Sequence, residues 1–112
     1  MATEREQLEL AAKACGMPEK WSGDGIYVRE QFCEAPWNPL TDDGDALRLA
    51  VKLDIDFYMG ADSDGPEAWA GYYVPGRDRK LHACEPIRKD PYAATRRAIV
   101  RAAAAIGSVH NA

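Results

Sequence analysis

Three groups of side chains in this sequence have the types and spacing that chemistry would need. Asp42, Asp43 and Asp45 fall within one helical turn, with Asp54 and Asp56 further along. Carboxylates so grouped are oxygen ligands for a hard cation and, with a bound metal, the basis of a hydrolase. The same three acids also open an apolar stretch, where they satisfy free amides and oppose the helix dipole. Position favours the capping role, because Asp54 and Asp56 lie more than three turns away at the far end of that helix. Asp62, Asp64 and Glu67 begin like a calcium loop, but Pro66 takes the third ligand position, so a solvated loop is expected. His82 and Cys84, two apart, would share one side of a strand and with Cys33 make three zinc donors; a fourth at motif spacing is lacking. The chain has no G-x-S-x-G, no H-E-x-x-H and no glycine-rich phosphate loop, and only His82 and His110 are candidates for proton transfer at neutral pH. No catalytic residue, metal or cofactor is therefore expected.

Binding chemistry has better material. Arg96, Arg97 and Arg101, joined by Arg88 and Lys89, would line a basic stripe able to neutralise phosphates, or would be a solvated helix face, or would pair with the chain's own acidic middle segment or a partner's acids. The charge is unevenly spread: residues 1–37 carry −3, residues 38–76 carry −6 and residues 77–112 carry +5. With an overall pI near 5.1, general nucleic-acid binding is disfavoured. Trp21, Trp37, Trp69, Tyr72 and Tyr73 are many large aromatics for 112 residues, and such side chains anchor interfaces as well as fill cores. These five and the three α-helical arginines are the candidate partner-binding residues.

The elements that must position them follow from periodicity. Thr3 with Glu6 reads as a capping box, and Leu8, Ala11, Ala12 and Cys15 give a first amphipathic helix over 4–15. A turn-rich stretch precedes a strand over 25–33. Pro36 and Pro39 hold the next segment extended, and Thr41 or Asp42 caps a second helix over 42–53. Ala46, Leu47, Leu49, Ala50, Val51 and Leu53 wrap so far around this helix that it should be the most buried of the three. Ile55, Phe57 and Met59 alternate with polar neighbours in a strand, 61–67 reads as a loop, and 69–74 and 80–85 are further strands. Asp90 and Pro91 start a third helix over 91–106, its inner face Tyr92, Thr95, Ile99, Ala102, Ala103 and Ile106, ended by Gly107. Helix, strand, helix, strand meander, helix is an α+β order, and three helices on a small mixed or antiparallel sheet of three or four strands is its economical packing.

An apolar fraction of 46% supports one hydrophobic core in a single domain over 1–112. No run nears the ~18 apolar residues of a membrane span, and the charged opening MATEREQLEL is unlike a signal peptide. The expected location is the cytoplasm, where three widely spaced cysteines stay reduced.

The segment WNPLTDDGDALRLAVKL, residues 37–53, resembles the phage ABA sandwich domain, a family of short proteins encoded in bacteriophages and prophages. LAAKACG at 10–16 and DPYAATRRAIVRAAAAIG at 90–107 are similar to that family's flanking blocks, and the three segments cover about 42 of 112 residues in order. The resemblance implies an α/β/α sandwich and a phage origin, and carries no activity or site residue with it; residues 54–89 have no counterpart in it. The function expected is an accessory protein that binds a host or phage protein without catalysis. A nucleic-acid-associated protein using the basic third helix is the alternative, and a metal-dependent hydrolase the third. The many alanines of the third helix, with acidic and basic thirds in one chain, also suggest a homodimer.

Overall fold

Each helix begins where a side-chain oxygen can accept from its first free amides. The computed structural model describes residues 3–16, 19–22, 25–30 and 33–109, with the strands between 19 and 35 described by their backbone alone. Thr3 caps α1 (Glu4–Ala14), accepting from the Glu6 amide at 3.1 Å. Asp42 caps α2 (Asp43–Leu53) through the Asp45 amide at 2.8 Å, and Asp90 caps α3 (Pro91–Val109) through the amides of Tyr92 and Ala93. Thr3 and Asp90 are the caps the sequence points to, and Asp42 is the one of its two candidates, Thr41 and Asp42, that caps α2; Thr and Asp both favour this position.

Two antiparallel meanders complete the fold. β1 (Glu19–Ser22), β2 (Gly25–Glu30) and β3 (Cys33–Trp37) form one; β4 (Asp56–Asp62), β5 (Gly65–Tyr72) and β6 (Leu81–Pro86) form the other, each in sequence order. The long third helix lies across β4, β5 and β6, and both α1 and α2 pack on α3. The architecture is α+β, three helices packed on a small antiparallel sheet. Small side chains make the close approach of α3 possible: Ala68, Ala70 and Ala83 are buried on the sheet, and Ala94, Ala98, Ala102 and Ala103 on the helix. Leu8, Trp37, Leu49, Ile55, Ile99, Val100 and Ile106 fill the larger spaces between the layers. No helix of the described residues is long and apolar enough to cross a membrane.

Five expectations differ from the structure. The single strand over 25–33 is instead a three-stranded sheet over 19–37; Glu19–Ser22 lacks any apolar alternation that would mark it. The loop over 61–67 shrinks to Ser63 and Asp64, because β4 and β5 continue to the Asp62–Gly65 pair. The second helix is not the most buried: Leu47 is 53% and Val51 74% exposed, since α2 touches the body only through the side that holds Ala46, Leu49 and Ala50. Tyr92, placed on the inner face of α3, is 68% exposed, while the helix runs through Gly107 to Val109. The glycine serves packing there, because a Cβ would run into the backbone carbonyl of Leu10 in α1.

Candidate functional site

β4 is an edge strand, and what lies beside it is open. Phe57 and Met59 point from β4 toward the helices, on the same side of the sheet as Ala68 and Ala70 opposite them in register. In a two-sided sandwich such residues would be core. Here α2 stops short of the strand, leaving a groove of about 460 Å³ between α2, α3 and β4. Ala46 and Ile99 form its buried part; Leu47, Phe57, Met59 and Tyr92 stand exposed around it. Val51, one turn along α2 from Leu47, is exposed beside them, so that the apolar side chains adjoin one another instead of lying singly.

The two edges of the sheet are treated differently. Ile87 donates its amide to the Pro66 carbonyl at 3.0 Å, which sets the parity of the ladder. In an antiparallel sheet the residues that bond one neighbour alternate with those that turn away. Pro66, Ala68, Ala70 and Tyr72 therefore bond β6, Gly65, Glu67, Trp69 and Gly71 bond β4, and the amides and carbonyls of Phe57, Met59 and Ala61 point outward. On β6 the outward positions are His82, Cys84 and Pro86. Arg101 donates to the Cys84 carbonyl at 2.6 Å, and Pro86 has no amide to offer, so that edge is blunted in two ways. β4 carries neither lysine nor proline nor a covering side chain among the described residues.

The aromatic candidates scatter. Trp37 is 6% exposed and spent on the core. Tyr72 is half-buried on the helix side, and Tyr73 is exposed just past the end of β5. Trp69 lies on the face of the sheet away from the helices, stacked with Tyr58 at 6.1 Å and 14°, with His82 edge-on at 5.7 Å. Its indole N–H is buried without a hydrogen-bond partner among the described residues, packed over Gly60. The backbone of Trp21 pairs with Ile26, and its side chain is outside the described residues, as are the Cys33 side chain and His110. Composition marked the aromatics; the surface that assembles is built from Leu47, Val51, Phe57, Met59 and Tyr92, which periodicity alone assigns to the interior or leaves unmarked.

The arginines are engaged within the chain. Arg96 donates to the Leu40 carbonyl at 2.8 Å and to Asp43 at 2.5 Å, joining α3 to the start of α2. Arg97 and Arg101 both reach Glu85 on β6, at 3.0 and 2.5 Å. The basic face of α3 is thus a pair of clamps on the chain's own acids, at Asp43 in the acidic middle and at Glu85.

The clustered acids also have local roles. Asp45 accepts from the Asn38 amide at 2.9 Å and from Arg48 at 2.7 Å. Asp56 is held below the ordinary carboxylate range by its hydrogen bond from Lys80, which in turn is raised by Asp56. Asp62 is lowered and Glu67 raised by the hydrogen bond between them. Among the described residues no three of His, Cys, Asp and Glu come together as a metal site. Burial pushes the Cys15 thiol up to about 11 and raises that of Cys84, the reverse of what a nucleophilic thiolate needs.

No protein-family model, curated protein or solved structure matches this chain. Its fold and site define an α+β domain whose β4 edge, among the described residues, is uncovered beside an apolar groove.

Proposed function

We propose that this is a small phage- or prophage-encoded accessory protein that acts by binding another protein in the groove between α2, α3 and β4, without catalysis or cofactor. One observation carries the reading: Leu47, Phe57, Met59 and Tyr92 stand exposed around a single apolar groove. Leaving that much apolar surface in water is unfavourable by roughly 25 cal/mol per Å², so a partner that covers it gains binding free energy. The raised thiols and the locally engaged acids support a role outside catalysis. The engagement of Arg96, Arg97 and Arg101 within the chain favours a protein partner over a nucleic acid. The phage origin rests on the resemblance of residues 10–16, 37–53 and 90–107, and a host or phage protein is the partner it suggests.

The reading is tested with groove variants. A partner captured from host lysate and then purified should bind Leu47→Asp and Tyr92→Asp about tenfold or more weakly than the wild type, as loss of apolar anchors does, with Lys13→Asp on α1, which contributes nothing to the groove lining, as the control. Equal affinity of all four proteins would remove the groove as the binding surface.

A further inference from the structure

We propose that the β4 edge takes up an extended segment of the partner as a fourth strand, apolar where it faces the groove and basic at both ends. This rests on the groove being the binding surface, and adds what occupies it and how. The outward amides and carbonyls of Phe57, Met59 and Ala61 form a ladder that only another extended backbone satisfies along its length. The contrast with β6, where Arg101 and Pro86 close the corresponding positions, shows that edge protection is available to this fold, and among the described residues none is applied at β4.

Side chains and backbone select the same occupant. Residues of an added strand directly opposite Phe57 and Met59 share their side of the sheet, so they enter the groove over Ala46 and Ile99. Apolar residues at alternate positions fit there. Along β4 the central run Phe57–Ala61 is uncharged, while Asp54 and the Lys80-paired Asp56 stand before it and Asp62, Asp64 and Glu67 lie at its other end. Lysine or arginine at each end of the incoming strand is complementary to these acids. A second copy of this chain is disfavoured because β4 paired antiparallel with itself brings Asp54 and Asp56 of one copy toward Asp62 and Asp64 of the other, four acids at each end that one Lys80 offsets in part.

The test uses the whole protein, isotopically labelled, with a synthetic peptide of alternating valine and threonine bearing two lysines at each end. A second peptide replaces the lysines with glutamates. The lysine peptide is expected to bind and to protect the Phe57, Met59 and Ala61 amides from hydrogen exchange. The glutamate peptide should bind about tenfold or more weakly, an effect that shrinks with added salt. Ala61→Pro removes one outward amide without touching the β4–β5 ladder, and should weaken binding by about tenfold. Should that variant fail to fold, the exchange pattern of the wild type decides alone. Binding that is lost in Leu47→Asp yet leaves the three amides unprotected overturns strand addition while the groove reading stands. Failure of the lysine peptide to bind, or equal binding of both peptides, overturns the proposed occupant. A concentration-dependent dimer of the protein alone, with the same three amides protected, overturns it in favour of a second copy.

Discussion

Gly107 of α3 lies directly against the backbone carbonyl of Leu10 in α1, so near that a Cβ has no room. The contact sets how closely the two helices cross, and through Leu8, Ala11 and Ala12 it sets how well α1 covers the core. Gly107→Ala should destabilise the protein by about 1–3 kcal/mol, as overpacking does, although alanine alone would favour an α-helix by about 1 kcal/mol. Urea unfolding of the two proteins measures this. A more stable variant would mean that the helices part without cost and that the crossing is not close-packed.

Arg101 protects the β6 edge by bonding the Cys84 carbonyl while paired with Glu85. Both charged groups are partly solvated, so Arg101→Ala should cost only about 0.5–1 kcal/mol of stability. The larger effect is expected on association, since the variant uncovers an outward carbonyl beside Pro86. Light scattering during incubation below the melting temperature should show faster aggregation than for Arg97→Ala, which leaves that carbonyl covered. Equal rates would indicate that the edge is closed by its neighbours without the arginine.

The helices were legible because their signals are local. Thr3, Asp42 and Asp90 are capping residues followed by residues of suitable period, and nothing distant is needed to read them. Phe57 and Met59 were legible as one face of a strand, and the face is correct. What lies opposite that face depends on where α2 stops relative to β4, a tertiary relation that alternation does not encode. The same holds for Leu47 and Val51, apolar residues on the outward flank of a helix that packs chiefly on α3. For the arginines of α3 the sequence leaves a phosphate-binding stripe, a solvated face and pairing with acids all open; Arg96 does pair with Asp43 of the acidic middle, while Glu85 and the Cys84 carbonyl, which hold Arg97 and Arg101, come from a strand ten or more residues earlier in the chain, brought alongside by the fold.

Cys15 links stability to alkaline pH. Its thiol has an ordinary value of 9.0 and is pushed up to about 11, first by burial, with Lys52 acting in the opposite direction. The unfolded chain releases this proton near pH 9, the folded one near 11, so its contribution is complete below about pH 9 and is lost as pH rises toward about 11. Thermal melts at about pH 8 and about pH 10.5 should therefore show a larger loss for the wild type than for Cys15→Ala, which has no thiol to ionise. Identical losses would place the alkaline sensitivity elsewhere, and modification by a thiol reagent at neutral pH as fast as in a free peptide would contradict the burial.

Asp42 and Asp45 hold the start of α2 by different means, and their variants should separate. Asp42 caps one amide at an exposed position, so Asp42→Ala should cost about 1 kcal/mol. Asp45 accepts from the Asn38 amide and from Arg48, tying the segment that carries buried Trp37 and Pro39 to the helix. Removing it strands a half-buried amide, so Asp45→Ala should cost about 1–3 kcal/mol, the upper range of an unsatisfied group. Asp45→Asn keeps an acceptor oxygen for Asn38 and should recover much of that loss, whereas asparagine at position 42 is itself a good cap and should be nearly neutral. Denaturant midpoints for the four variants give the ordering directly. Because α2 is one wall of the groove, Asp45→Ala should also weaken partner binding while Asp42→Asn leaves it unchanged; the reverse order would mean that Asn38 finds another acceptor and that the wall is held by Arg96 and Asp43 instead.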